Sequence, residues 1–169
     1  MRILILFSVF TFISTSITSQ SNWKYQTGTD PMTDQVFEFI YSIGSGYELG
    51  CSEPILSVSK AGEQDVIQFS DCNGLTFEIT SLYLRVDKGE VADFRLSNND
   101  VTIKRNELVT IAPFRINYIR IGEYNRPLIA RIIEEMKAGS VLKIRAEMDD
   151  RVYDMTFSLN GFTKAYNKL

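Results

Sequence analysis

The sequence predicts a mainly β protein, an antiparallel β-sandwich or partly closed barrel with one amphipathic helix packed on it and a short C-terminal helix. Three observations point there. Short apolar stretches separated by turn residues recur along the chain, two pairs of them fall into register as hairpins, and one segment carries apolar residues at helical spacing. The 169 residues give room for a single domain that can bury a core without help from metals.

Taken in order, the chain starts with Met1-Arg2, an apolar run from Ile3 to Ile13 and a small polar stretch from Ser14 to Gln20. A charged start, an apolar segment too short to span a bilayer and a zone of small residues predict a secretory signal peptide over 1–19. The single β-rich domain then occupies 20–169, with no stable membrane span once the signal is removed. In the stretch Thr29-Asp30-Pro31-Met32-Thr33-Asp34, the residue before proline is biased towards an extended or turn conformation. It delivers Val36 into a strand over Val36–Tyr41, with Asp34 able to cap the turn. As a calcium loop the stretch offers too few oxygen ligands and lacks the glycine turn. Gly44-Ser45-Gly46 is expected to be a flexible turn, followed by short strands over Ile55–Ser59 and Val66–Phe69.

The centre and the end carry stronger patterns. In Leu82-Tyr83-Leu84-Arg85-Val86 the two leucines and the valine share one face, while Tyr83 and Arg85 turn the other way. A three-residue loop at Asp87-Lys88-Gly89 sets Leu84 against Ala92 and Leu82 against Phe94, whereas a two-residue loop would set Leu84 against Asp93. Gly89 is expected to take the left-handed position of that loop. A second hairpin joins Val141–Glu147 to Val152–Leu159 around Asp149-Asp150. Its register pairs Ala146 with Tyr153, Ile144 with Met155 and Leu142 with Phe157 on one face, and Arg145 with Asp154 on the other. Between the hairpins, Pro127 suits a first helical turn and Gly139 a C-terminal cap. Leu128, Ile129, Ile132, Ile133 and Met136 form one apolar stripe, with Arg131 and Glu135 able to pair on the wet side. A shorter helix is expected over Phe162–Lys168.

Composition excludes several functions. Eighteen basic and twenty-one acidic residues give a net charge of −3, and no long single-sign run occurs, which speaks against a nucleic-acid partner or a polybasic membrane surface. The chain has no histidine, which removes Ser-His-Asp and Cys-His triads and histidine metal sites. No phosphate-loop pattern occurs. The expectation is a non-enzymatic protein without metal, cofactor or catalytic residues. A hydrolase built on a distant pair of carboxylates is the enzymatic alternative. In an oxidising compartment Cys51 and Cys72 are expected to form a disulfide, contributing roughly 3 kcal/mol. A redox role lacks both a Cys-x-x-Cys spacing and a nearby histidine. The stretch from Phe114 to Arg126 interleaves arginines with tyrosines, a pairing enriched at interfaces, and marks Tyr118, Arg120, Tyr124 and Arg126 as candidate binding residues. An ordinary strand running into a loop accounts for the same stretch.

An ordered series of residues remains: Trp23, Pro31, Met32, Thr33, Asp34, Cys51, Arg85, Asp87 and, in the ending FSLNGFTKAYNKL, Gly161, Phe162 and Ala165. This series resembles the VasI family of bacterial cell-envelope proteins, which is associated with type VI secretion, and the ending is similar to the invasion-associated locus B family. The resemblance implies an exported, disulfide-tolerant β-domain, periplasmic or secreted, whose partner is another envelope protein. It implies no catalytic residue. The SDCNG around Cys72 and the Arg-Tyr segment depart from both families. A small-ligand β-domain that carries a lipid or a glycan is the second functional expectation.

Overall fold

The computed structural model describes residues 21–29, 36–46, 54–70, 80–95, 101–108, 115–121, 125–147 and 152–169. The expected signal peptide, the Pro31–Asp34 stretch, Cys51, Cys72, Tyr124 and the Asp149-Asp150 loop lie outside these residues.

Two antiparallel sheets, not closed into a barrel, make up the fold. The larger has the order β1-β2-β3-β4-β8-β7, formed by β1 (Lys24–Thr29), β2 (Val36–Ile43), β3 (Ile55–Ala61), β4 (Gln64–Ser70), β7 (Val101–Leu108) and β8 (Arg115–Ile121). The smaller has the order β10-β9-β5-β6, formed by β5 (Ser81–Val86), β6 (Ala92–Arg95), β9 (Val141–Glu147) and β10 (Val152–Ser158). Helix α1 (Arg126–Ala138) touches both β4 and β5 and packs on helix α2 (Phe162–Tyr166). One apolar cluster runs through both sheets and both helices, from Trp23 and Ile40 to Phe157 and Phe162.

Both hairpins take the registers set by their apolar faces. Leu82 lies opposite Phe94 and Leu84 opposite Ala92, while Ala146, Ile144 and Leu142 face Tyr153, Met155 and Phe157. The α1 stripe of Ile129, Ile132, Ile133 and Met136 is buried, and Asn125 caps the helix by accepting from the Leu128 N–H. On its wet side Arg131 pairs with Glu135 at 3.6 Å and also with Glu90 of the β5–β6 turn.

Two local expectations need correction. The left-handed residue of the β5–β6 loop is Asp87, at φ 49°, and not Gly89. Aspartate tolerates that region better than most residues, and here its carboxylate is put to use: Oδ2 accepts from the Ser140 N–H at 3.0 Å and Oδ1 from the Val141 N–H at 2.9 Å. Gly139 caps the C-terminus of α1 as expected, in an extended conformation. The reason for glycine there is close approach, since a Cβ would sit 2.3 Å from Val86 Cγ1.

Gly44-Ser45-Gly46 is a junction rather than a flexible turn. Ser45 and Thr156 exchange both backbone hydrogen bonds, at 2.9 and 2.8 Å, and so link the end of β2 to β10 of the other sheet. Gly44 lies under the Phe157 ring, where a Cβ would come within 2.6 Å. β1 and β7, the two edges of the larger sheet, are additional to the strands expected from the sequence.

Candidate functional site

The residues that carry the family resemblance divide into two groups once placed. Trp23, Phe162 and Ala165 are buried and join the segment before β1 to the C-terminal end. The Trp23 indole N–H donates to the Ser158 carbonyl at 2.8 Å, and its ring meets Phe162 edge-on at 4.8 Å. Gly161 begins α2 at φ 83°, with Ser21 packed so close that a Cβ would lie 2.0 Å from its hydroxyl. Glycine is required there on both counts.

Asp87 belongs to the same construction. The Ser140 N–H that it binds is followed by a carbonyl that accepts from Leu159, and Thr163 of α2 donates its hydroxyl to the Lys137 carbonyl at 2.9 Å. Tyr166 ties α2 to the larger sheet through Asp65, at 2.8 and 3.0 Å, and its hydroxyl is pushed up from the ordinary tyrosine range by burial and by that hydrogen bond. These residues hold the fold together, and each has an identifiable partner.

Arg85 is the exception. It is exposed, and among the described residues no carboxylate bonds it. It lies on the outer face of the four-stranded sheet, in a cleft of about 470 Å³ lined by Tyr83, Arg85, Val91, Lys143, Arg145, Glu147, Asp154 and Thr156 among others. Strand alternation produces this face: the leucines, isoleucine and methionine of the three strands point into the core, so the intervening polar residues line up across the outside. Three rows follow from the registers. Ser81 sits beside Glu147 and Val152; Tyr83 beside Arg145 and Asp154; Arg85 beside Lys143 and Thr156.

The two carboxylates of the cleft are already engaged. Arg145 grips Asp154 with both forks, at 2.7 and 2.8 Å, and the Tyr83 hydroxyl donates to Glu147 at 3.1 Å. The hydrogen bonds from Arg145 hold the Asp154 carboxyl below the ordinary carboxylate range, with its partial burial opposing and the Lys143 charge assisting. That direction is the reverse of what a general acid at neutral pH requires. Among the described residues no group of three or more Cys, Asp or Glu side chains is placed to hold a metal.

The Arg-Tyr candidates lie elsewhere. Tyr118 and Arg120 are on β8, opposite Lys104 and Thr102, and Arg120 is half-buried beside Gln68. Arg126 opens α1 and lines a separate crevice of about 390 Å³ with Glu63, Gln64, Asp65, Ile129 and Ala130. Sequence reasoning placed Tyr83 and Arg85 on the wet face and paired Arg145 with Asp154, but did not join the two hairpins. The signal was present: setting Leu82 against Ala146 and Leu84 against Ile144 continues the apolar face across β5 and β9. It also brings Arg85 and Lys143 side by side.

Phe94, Phe157 and Phe162 are fully buried. No helix among the described residues is long and apolar enough to cross a membrane. Comparison with protein families, with curated proteins and with solved structures finds no match to this chain.

Proposed function

We propose that this chain is an exported accessory protein of the bacterial cell envelope that works by holding another envelope component on the outer face of its four-stranded sheet. The observation that carries the proposal is the cleft around Arg85. A tyrosine and three cations line it, a composition suited to recognition, while the other described residues of the family pattern serve packing and closure. The resemblance to VasI-like and locus B-like proteins supports export and a place beside secretion or invasion machinery. Export also joins Cys51 to Cys72, and mass measurement of the exported protein should find no free thiol.

A photoreactive residue at Val91, 48 % exposed on the cleft rim, compared with one at Val36, 64 % exposed on the other sheet, tests the binding face in intact cells. A discrete adduct from position 91, absent from position 36 and lost in Arg85→Glu, is the expected result. Equal labelling from both positions, or none from either, counts against the proposal.

A further inference from the structure

We propose that Arg85 and Lys143 form a subsite for a phosphate monoester carried by the ligand of the cleft. The inference rests on the cleft being the binding face and names the chemistry that this face recognises.

Arg85 and Lys143 are direct partners across β5 and β9. Like charges opposed in this way destabilise a sheet, and among the described residues no carboxylate hydrogen-bonds either of them. Asp154 is held by the two forks of Arg145, and Glu147 accepts from Tyr83. Lys143 acts on Asp154 through its charge and without a hydrogen bond, the last of the influences on that carboxyl. Two cations are therefore left without a bonded carboxylate among the described residues, in a chain whose net charge is −3.

Directly opposed residues of an antiparallel pair have Cβ atoms about 5 Å apart, so both side chains can reach different oxygens of one tetrahedral group. Arginine supplies a two-pronged grip and lysine a point charge. Thr156, next to Lys143 in the same row, adds a hydroxyl. A dianionic phosphate monoester matches two unmatched cations; a carboxylate matches one. An anionic bilayer fits this face less well, because Asp93 and Asp154, both exposed on the same face, would be pressed against it. The cleft has the size of a small-ligand site, so a phosphorylated sugar or a phosphate on a glycan is the occupant that the charges favour.

The test is an NMR titration of the mature, isotopically labelled chain at low ionic strength and at a pH where phosphate is dianionic. Inorganic phosphate and a sugar phosphate are the probes, with acetate as the single-charge comparator. The expected result is saturable shifts at Arg85, Lys143 and Thr156, stronger for phosphate than for acetate. Arg85→Gln and Lys143→Gln each weaken binding by about tenfold or more, and Lys88→Gln in the exposed turn leaves it unchanged. Melting curves on the same samples establish that the variants are folded. Unsaturable shifts spread over many lysines, equal response to acetate, or undiminished binding by Arg85→Gln would overturn the proposal.

Anionic phospholipid vesicles form a separate arm, and Arg85-dependent co-sedimentation with them would replace the sugar phosphate by a membrane and refute the inference as stated. Crosslinking from Val91 separates the two levels. Adducts without phosphate binding refute this subsite and leave the interaction face standing; phosphate binding without adducts does the reverse.

Discussion

Substituting Asp87 isolates the clamp between the β5–β6 loop and the start of β9. The carboxylate accepts two backbone N–H groups, from Ser140 at 3.0 Å and Val141 at 2.9 Å, and the residue sits at φ 49°. Hydrogen bonds to a charged acceptor contribute about 1.5–3 kcal/mol each. Both lie at an exposed site, where water resolvates the freed donors, so about 1 kcal/mol apiece is the appropriate figure. Asp87→Ala removes both bonds and places an alanine in the left-handed region, adding about 1 kcal/mol, for a loss of about 3 kcal/mol in all. Asp87→Gly removes the bonds but relieves the backbone, leaving a loss of about 1–2 kcal/mol. Asp87→Asn keeps one acceptor and the tolerance for that conformation, and loses about 1 kcal/mol. Urea unfolding with unchanged slope measures all three. In a domain of this size the alanine variant should melt roughly 6–12 °C lower. Equal effects of alanine and glycine, or losses below about 0.5 kcal/mol for both, would refute the clamp.

Other substitutions test neighbouring parts of the construction. Gly139→Ala meets an extended backbone that any residue adopts, so chain entropy alone would favour it; the Cβ 2.3 Å from Val86 Cγ1 reverses the sign. A loss of about 1–3 kcal/mol is expected, partly restored by adding Val86→Ala. Trp23→Phe removes the hydrogen bond to Ser158 and part of the contact with Phe162, and should cost about 2 kcal/mol in the same unfolding assay. Asp154 is depressed in the folded state by Arg145, so its contribution is present above the ordinary carboxylate range and drains away as pH falls through the folded midpoint. The stability gap between the parent and Asp154→Asn should therefore close on acidification, and a gap that widens would reverse the assigned sign.

The sequence spoke clearly where burial is one-sided. Leu82, Leu84, Ile144, Ala146, Met155 and Phe157 alternate with polar residues, so only one register buries them, and the α1 stripe is equally unambiguous. β1 reads KYQTGT without that alternation, and β7, VTIKRNEL, keeps it only over its first four residues. Both are sheet edges, where few side chains need burial, and β7 is interrupted by an irregularity between Lys104 and Glu107. Residues at the junctions were less legible for another reason. Gly44, Gly139 and Asp87 respond to neighbours distant in sequence, Phe157, Val86 and Ser140, which no local turn rule registers. The cleft was half visible: its tyrosine and charges are on the wet faces of two hairpins, and only the pairing of β5 with β9, about 60 residues apart in the chain, assembles them.

Arg85 and Asp87 are two positions apart and, under the proposed function, have opposite tasks, one offered to a ligand and the other holding the fold. The unfolding free energy of Arg85→Gln tests that division most directly. A variant within about 0.5 kcal/mol of the parent, or slightly more stable through relief of the charge opposed to Lys143, is the predicted result. A loss above about 1 kcal/mol would make Arg85 one more residue of the framework and remove the central reason for placing the working surface on this sheet.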